Sequence, residues 1–370
     1  MDYFGDDYLT PEFYLFFWVV LVLIIIILIA YIILCVIREG TLFQPTRDEK
    51  WYPDIKRCER IKTLKEVYSD ERLQGVENTA KKILGLPKEH LGDNEYCNKY
   101  VNNFKSLYLI IDDKSRKGYN KQEICEKKNG KVLNLSSLNY INIWKFENFS
   151  GKRIVLYYHG NNDNISYRKY VVDICNLLKL NLMLVDYRGY GESSSFPSNV
   201  SLLEDAETAY KHLTSEYSHK DVIIWGESLG GIAAIWTAHK YKANSLVLLS
   251  TFADIKTIIN KLNMPNGIKK MIKKFSNGEL MENGKWIRNV KIPTVIMHSE
   301  EDDILPYINA KMNYDAVSAE KKKLITIQGQ HAHPFFTDVQ LIELLEFIEI
   351  DPKVMHNNTL QEVLDIINNI

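Results

Sequence analysis

The chain has 370 residues, a formal net charge of −1 and 25% charged side chains. This balance excludes a strongly basic nucleic-acid-binding protein, and the apolar content excludes a disordered chain. The length allows one large domain or two ordinary ones.

The first predicted element is a membrane span. Phe13–Ile37 contains no charged residue and is rich in Ile, Leu and Val. It is longer than the ~20 residues needed to cross the hydrocarbon core of a bilayer. A cleaved signal peptide fits poorly, because the preceding residues are acidic and no small-x-small site ends the run. We therefore expect a short tail over residues 1–12 and one transmembrane helix over residues 13–37.

The positions of lysine and arginine predict the orientation of this span. None precedes it, whereas Arg38, Arg47, Lys50, Lys56 and Arg57 follow it. The positive-inside rule therefore predicts a single-pass membrane protein with its N-terminus outside and the rest of the chain in the cytosol. Asn-x-Ser/Thr sequons favour the opposite orientation, and they begin at Asn134, Asn148, Asn164, Asn199 and Asn357.

The five cysteines are widely spaced and form no Cys-x-x-Cys pair, so neither a zinc ribbon nor a disulfide scaffold is indicated. Cys35 and Cys58 lie near the predicted membrane edge and are candidate acylation sites.

Residues 38–130 are interpreted as a juxtamembrane linker and N-terminal extension. Phe104–Asp112 contains a strand-like run, and Lys131–Phe146 alternates as a β-hairpin would. A folded domain is expected over residues 131–350, with a short lid segment at 252–290, followed by a C-terminal helix at 351–370.

From residue 150 onward, predicted strands alternate with predicted helices. The strands are Ile154–Tyr158, Asn181–Tyr187, Val222–Trp225, Ser245–Leu249, Thr294–His298 and Leu324–Gln328, and the helices are Tyr167–Leu180, Leu202–Tyr217, Ile232–Tyr241 and Ile308–Val317. This alternation predicts an α/β fold with parallel strands and helices on both faces. In such sheets the functional site lies beyond the carboxyl ends of the strands.

The segment 221-DVIIWGESLGG-231 has the context of a nucleophile elbow, a sharp turn between a strand and a helix. A short apolar run precedes Ser228 and a helical stretch follows it. Gly226 and Gly230 leave space for the bend that exposes the serine Oγ. Ser228 is therefore the candidate nucleophile.

Four motifs carry a resemblance to a known family: His159-Gly160-Asn161, Asp186–Gly191, Gly226–Gly231 and Asp302–Pro306. In their order and spacing, over roughly residues 130–350, the chain resembles the α/β-hydrolase superfamily. Within it, the chain is similar to membrane-anchored α/β-hydrolase domain-containing serine hydrolases of the bud-emergence type. The resemblance implies a mostly parallel central sheet flanked by helices, here preceded by one N-terminal transmembrane helix.

The resemblance also implies a catalytic triad. A serine hydroxyl is barely acidic and needs a base, and this fold uses the chain order Ser, Asp, His. His331 is favoured as the base because Gly329-Gln330-His331 matches the family's glycine-x-histidine turn, with His333 as the alternative. Asp302 fits the acid position four residues before Pro306, with Asp303 as the alternative.

An oxyanion hole needs two backbone N–H donors. We expect one from Leu229, the residue after the nucleophile, and one from Asn161 in the loop after the first strand of the set. His159 and Arg188 are interpreted as structural residues of their loops. No cofactor is expected, and no metal, because no motif with ligand spacing joins the histidines and carboxylates.

The resemblance and the predicted anchor together imply a membrane-anchored serine hydrolase that cleaves ester or thioester bonds of acyl lipids or lipidated proteins through an acyl-enzyme. Lysophospholipids and S-acylated cysteines head the list of substrates. Expected partners are membrane lipids and the substrate, and not nucleic acid. The alternatives are a non-catalytic membrane scaffold that keeps the fold, and a serine peptidase.

Overall fold

The computed structural model describes residues 43–47, 104–111, 118–119, 127–128, 131–132, 139–147, 149, 151–254, 256–257, 259, 266–267, 269–270, 283–350 and 359–370. The chain divides into two units, Met1–Gln44 and Pro45–Ile370. The predicted span at 13–37, the tail before it, and most of the linker and the lid lie outside the described residues. Within the described part, no helix has the length and apolar character to span a bilayer.

In the described part of the chain, strands alternate with helices from residue 154 onward. The strands are β1 (Gln44–Pro45), β2 (Phe104–Ile110), β3 (Gly118–Tyr119), β4 (Lys127–Lys128), β5 (Lys131–Val132), β6 (Tyr140–Phe146), β7 (Ile154–Tyr158), β8 (Asn162–Asp163), β9 (Asn181–Asp186), β10 (Val222–Glu227), β11 (Ser245–Leu249), β12 (Thr294–Ser299), β13 (Lys322–Gln330) and β14 (His333–Phe335). The helices are α1 (Lys169–Leu177), α2 (Asn199–Leu213), α3 (Gly230–Lys240), α4 (Asn283–Trp286), α5 (Ile308–Ala316), α6 (Asp338–Phe347) and α7 (Thr359–Asn368).

The central sheet has the strand order β14-β13-β12-β11-β10-β7-β9-β6-β2-β3. From β9 to β13 every neighbouring pair is parallel, with Ile223 of β10 opposite Val155 of β7 and Ser245 of β11. The pairs at both ends, β13–β14 and β9–β6–β2–β3, are antiparallel. The predicted mostly parallel sheet is therefore confirmed, and β10 lies in its middle.

Helices cover both faces of the sheet because the central strands are apolar on both sides. All residues of β7 and β9 are buried. Val155 and Tyr157 pack in one cluster with residues of α1, α6 and α7. On the other face Tyr158 donates a hydrogen bond of 2.9 Å to the Ala206 carbonyl of α2. The carboxyl ends of β7 and β10 thus lie between two helical layers.

The sheet extends beyond the predicted domain boundary at residue 131. β2 pairs with β6 along its whole length, Phe104 opposite Phe146 and Ile110 opposite Tyr140. The predicted hairpin over 131–146 is wrong, because β6 pairs with β2 and β9 while β5 pairs with β4. Alternation along a strand indicates that one face is buried, but it does not indicate which strand lies beside it.

Candidate active site

Ser228 occupies the turn between β10 and α3. Its φ of +51° lies in the left-handed region, which a non-glycine residue adopts only under constraint from its surroundings. A Cβ added at Gly226 would lie 2.6 Å from the Ala234 Cβ, and one added at Gly230 would lie 2.0 Å from the Tyr158 carbonyl oxygen. Glycine at both positions lets the helix approach the strands closely enough to hold this turn.

Three predicted side chains meet at the turn. Ser228 Oγ lies 2.9 Å from His331 Nε2. His331 Nδ1 lies 2.7 Å from Asp302 Oδ2. Since a carboxylate only accepts hydrogen bonds, Nδ1 carries the ring proton and Nε2 of the neutral imidazole is left to accept from the serine hydroxyl. His331 follows β13 and Asp302 follows β12, so neighbouring parallel strands deliver them to the same edge.

Asp302 is buried and surrounded by donors. Its Oδ1 accepts from the amides of Ile304 at 2.9 Å and Leu305 at 2.6 Å. His298 Nε2 lies 3.1 Å from its Oδ2, and also 3.1 Å from the Leu305 carbonyl oxygen. Burial alone would raise the pKa of Asp302, but the hydrogen bonds from His298 and His331 outweigh it and hold that pKa well below its usual range. The carboxylate therefore stays charged beside His331.

The two alternative residues lie elsewhere. Asp303 Oδ1 accepts from the backbone N–H of His331 at 3.2 Å, so its carboxylate supports the backbone of His331 instead of the imidazole. His333 is exposed and begins β14, where it pairs with Gln330. Neither takes the place of Asp302 or His331 in the hydrogen-bonded set.

The two expected oxyanion donors follow neighbouring strands, Leu229 after β10 and Asn161 after β7. Leu229 precedes α3, and the first N–H groups of a helix have no partner within the helix. Asn161 lies in the loop after β7, where its side-chain oxygen accepts from the Tyr190 hydroxyl at 2.9 Å. His159 is fully buried and its Nδ1 lies 2.7 Å from the Gly160 carbonyl oxygen, so this histidine shapes the loop.

A second layer of contacts holds the loop that carries Tyr190. Arg188 Nε donates to Asp205 Oδ1 at 2.6 Å, and the Arg188 amide donates to Asp205 Oδ2 at 2.8 Å. The Gly191 amide donates to the Thr46 carbonyl oxygen at 2.9 Å, and Asn164 Nδ2 donates to the same oxygen at 3.1 Å. The segment 45–47 therefore ties two active-site loops together.

Comparison with known proteins identifies a family for part of the chain. The family Hydrolase_4, described as serine aminopeptidase, S33, matches residues 150–285, which contain Asn161, Ser228 and Leu229. This segment of the chain belongs to the α/β-hydrolase superfamily. The part of this hydrolase from residue 286 onward, which holds Asp302 and His331, lies outside the matched segment.

The curated relatives of the hydrolase are distant. Protein bem46 of Schizosaccharomyces pombe is 29% identical over 175 residues, which cover 46% of this chain and 58% of bem46. The α/β-hydrolase domain-containing protein WAV2 of Arabidopsis thaliana is 26% identical over 219 residues, covering 53% of this chain and 69% of WAV2. The uncharacterized protein YfhR of Escherichia coli O157:H7 is 26% identical over 203 residues, covering 52% of this chain and 69% of YfhR. The match to bem46 thus spans less than two thirds of that protein.

Beside the nucleophile, the hydrolase has a polar cluster that no sequence motif predicts. Glu227 Oε2 accepts from the hydroxyls of Tyr157 and, at 3.1 Å, Tyr170, and it lies 3.9 Å from Arg168 Nε. Burial would raise the pKa of Glu227, but the charge of Arg168 and the two hydroxyls lower it. This charged carboxylate sits at the end of β10, one residue before Ser228.

Sequence reasoning missed His298 as a neighbour of Asp302. A histidine at the end of an apolar strand carries no signal beyond its spacing, four residues before the carboxylate. Among the described residues of the hydrolase, no group of three His, Cys, Asp or Glu is placed to hold a metal ion. The chemistry that the described side chains offer is nucleophilic attack by a hydroxyl with an adjacent base.

Proposed function

We propose that this α/β-hydrolase is a serine hydrolase of ester or thioester bonds. The observation that carries the proposal is the continuous hydrogen-bonded path from Ser228 Oγ to His331 at 2.9 Å and from His331 to Asp302 at 2.7 Å. A nucleophile within reach of a base, with the base oriented by a carboxylate, is the geometry of nucleophilic acyl transfer.

In the proposed reaction Ser228 Oγ attacks the substrate carbonyl carbon while its proton passes to His331 Nε2. The amides of Leu229 and Asn161 donate hydrogen bonds to the oxyanion that forms. The C–O or C–S bond then breaks, and His331 returns the proton to the leaving alcohol or thiol. A water molecule attacks the acyl-enzyme in the same manner, which releases the carboxylic acid and restores Ser228. Asp302 stabilises the imidazolium in both halves.

The proposal includes the location of the enzyme. The uncharged run at 13–37 supports a single membrane anchor, and the basic residues that follow it support a cytosolic catalytic domain. An enzyme tethered in this way meets acyl lipids and lipidated proteins at the bilayer surface. Lysophospholipids and S-acylated cysteines are therefore the substrate classes that we propose.

Labelling of the full-length chain with a fluorophosphonate probe tests the nucleophile. We expect wild type to be labelled and Ser228→Ala to lose both labelling and ester turnover. Ser245→Ala is the matched control, because its buried hydroxyl has no hydrogen-bond partner among the described residues. Equal labelling of wild type and Ser228→Ala would refute the proposal, and an inert wild type would favour a non-catalytic scaffold.

A serine peptidase is the second candidate, and the description of the matched family favours it. An aminopeptidase also needs an anion to bind the substrate's amino group. Glu227 is the charged carboxylate nearest to Ser228 in sequence, but two tyrosine hydroxyls and Arg168 already surround it. Faster turnover of aminoacyl amides than of acyl esters by the same preparation would reverse the ranking.

A further inference from the structure

Arg168 is a buried arginine directly before α1, and the reaction proposed above does not use it. Only 7% of its surface is exposed. Its Nη2 donates a hydrogen bond of 3.0 Å to the Asn162 carbonyl oxygen, and its Nε lies 3.9 Å from Glu227 Oε2 in an ion pair. The guanidinium therefore joins the loop after β7 to the end of β10.

Both partners of Arg168 are sequence neighbours of the proposed catalytic groups. Glu227 directly precedes Ser228, and Asn162 directly follows Asn161. The loop also packs closely on the elbow, since a Cβ added at Gly160 would lie 3.2 Å from Glu227 Oε1 and 3.5 Å from Ser228 Cβ. The loop that carries one expected oxyanion donor thus rests on the side chain that precedes the nucleophile.

The backbone that Arg168 contacts is constrained. Asp163 has a φ of +67°, in the left-handed region that a non-glycine residue adopts only when its surroundings impose it. The peptide that joins Asn162 to Asp163 is the one whose carbonyl oxygen accepts from Arg168. Hydrogen bonds from a charged donor are roughly twice as strong as neutral ones. The Arg168 hydrogen bond therefore helps to hold the loop in this orientation, close in the chain to the Asn161 amide.

Arg168 keeps its charge in these buried surroundings. Burial would lower the pKa of Arg168, but the negative charge of Glu227 raises it above its usual range. Glu227 in turn accepts from the hydroxyls of Tyr157 and Tyr170, which fix its carboxylate. A planar guanidinium with several N–H donors suits a position between a carboxylate and a carbonyl oxygen, whereas an ammonium group offers a single nitrogen.

We propose that Arg168 is a positioning residue for oxyanion stabilisation, which fixes the loop that carries Asn161 against the elbow that carries Ser228 and Leu229. The inference rests on the proposed ester or thioester hydrolysis. Arg168 acts through the Asn162 carbonyl group and not on the reacting atoms. Removal of an oxyanion donor lowers kcat by about 10²–10³-fold, and a displaced donor costs part of that factor.

Hydrolysis of p-nitrophenyl butyrate by the full-length chain, with butaneboronic acid as inhibitor, tests this role. A boronic acid adds to a serine hydroxyl and forms a tetrahedral anion, so its affinity reports on the oxyanion donors. Arg168→Met should lower kcat roughly tenfold to a hundredfold, with KM within about twofold of wild type. The affinity for butaneboronic acid should fall by a similar factor.

Arg153→Met is the matched control. Arg153 directly precedes β7, at the opposite end of this strand from Asn161. Its guanidinium also donates to a backbone carbonyl oxygen and a carboxylate, those of Ile348 and Glu349. We expect Arg153→Met to keep the kcat, KM and boronic acid affinity of wild type.

Arg168→Lys provides a second test, because Arg168→Met leaves the carboxylate of Glu227 without its cationic partner. Lysine keeps the positive charge, and urea unfolding checks that both variants fold. One ammonium group does not replace the fork that contacts both Glu227 and Asn162. Arg168→Lys should therefore lose kcat and boronic acid affinity together, again with KM nearly unchanged.

The outcomes separate this inference from the function beneath it. If folded Arg168→Lys keeps the kcat and boronic acid affinity of wild type, or raises KM alone, the positioning role is wrong and the hydrolase proposal stands. If wild type neither hydrolyses the ester nor binds the boronic acid, the hydrolase proposal and this inference both fall.

Discussion

At the scale of single residues, His298 determines how Asp302 is held. Its Nε2 lies 3.1 Å from Asp302 Oδ2, on the same oxygen that accepts from His331. We define His298 as a positioning residue, because it acts on the reaction through Asp302. Residues in this position orient the groups that react, and their loss costs far less than the loss of the nucleophile.

We predict that His298→Leu lowers kcat roughly tenfold with little change in KM, since the substrate contacts remain while the carboxylate loses a donor. His298→Gln retains an N–H group near the same place and should recover most of the rate. Steady-state kinetics on a short ester measures both variants. A rise in KM without a fall in kcat, or equal rates for the two variants, would contradict the assigned role.

The residues of the site differ in how far the sequence predicts them. Ser228 is predictable because glycine spacing, a preceding strand and a following helix are all local features. Asp302 and His331 are chosen over Asp303 and His333 through family motifs, and their geometry depends on two strands meeting at one sheet edge. The pairing of Glu227 with Tyr157 and Tyr170 carries no local pattern, because it joins side chains of β7, β10 and α1.

At the scale of elements, the packing of α3 on the sheet requires glycine at position 230. Replacing glycine by alanine inside a helix usually stabilises a protein by ~0.5–1 kcal/mol. At Gly230 the new Cβ would meet the Tyr158 carbonyl oxygen at 2.0 Å and the His159 carbonyl oxygen at 2.7 Å. This clash falls on backbone atoms of β7 and its loop, which cannot rotate away.

We therefore predict that Gly230→Ala destabilises the protein by about 2–3 kcal/mol or more, despite its better helix propensity. Gly284→Ala is the matched control on α4, since its nearest contact would be at 3.7 Å. Thermal or urea unfolding of both variants gives the comparison. Equal stability of Gly230→Ala and wild type would mean that α3 has room to move off the strands.

The loop after β7 gives a second prediction at this scale. Tyr190 donates to Asn161 Oδ1 at 2.9 Å, and Asn161 is the expected second oxyanion donor. Removing the hydroxyl in Tyr190→Phe should lower kcat several-fold, because the Asn161 amide loses its fixed position.

Tyr158→Phe makes the same chemical change in the core, where the hydroxyl bonds to α2 and α3. It should reduce stability by about 1 kcal/mol and leave kcat unchanged. Ester kinetics and urea unfolding, measured on both variants, separate the two effects. If both variants lose kcat equally, the loss reflects general loosening and not the oxyanion loop.

The central strands were predictable because a buried parallel strand is apolar along its whole length, as in Ile154–Tyr158 and Ser245–Leu249. The pairing of β6 with β2 was not predictable, because β2 is only partly buried. Helix α6 was also missed, since the apolar run before Phe347 fits a strand or a helix equally over so short a length.

At the scale of the whole molecule, acid stability depends on an ionic cluster at the antiparallel side of the sheet. Lys145 of β6 is buried, and its Nζ lies 3.0 Å from Glu147 Oε1. Burial would raise the pKa of Glu147, but hydrogen bonds from Lys145, Lys105 and Tyr217 lower it from 4.5 to about 2. The folded state therefore binds the proton of Glu147 more weakly than the unfolded chain does.

A lowered pKa in the folded state means that the stabilisation is present above the unfolded pKa of 4.5 and is lost as the pH falls toward 2. We predict that Glu147→Gln lowers the free energy of unfolding at pH 7 by about 2 kcal/mol, less than the pKa shift alone implies because the pair is partly solvated. The variant should also lose stability less steeply than wild type between pH 5 and 3. Urea unfolding of wild type and variant across this pH range tests the prediction, and Glu320→Gln at an exposed position is the control. If the free energy of unfolding of Glu147→Gln and wild type changed with pH in parallel, the assigned role of Glu147 would be wrong.

The carbonyl oxygen of Thr46 accepts from the Gly191 amide and from the Asn164 side chain, so a segment far upstream in sequence completes the hydrogen bonding of two catalytic loops. The Gly191 amide proton thereby becomes a reporter, because its exchange with deuterium slows only while segment 45–47 is seated. A catalytic fragment that starts after Arg47 would keep Ser228, Asp302 and His331, but its Gly191 amide would lose the Thr46 carbonyl oxygen as acceptor. The practical N-terminal boundary of such a fragment therefore lies before Pro45, well upstream of the first long strand.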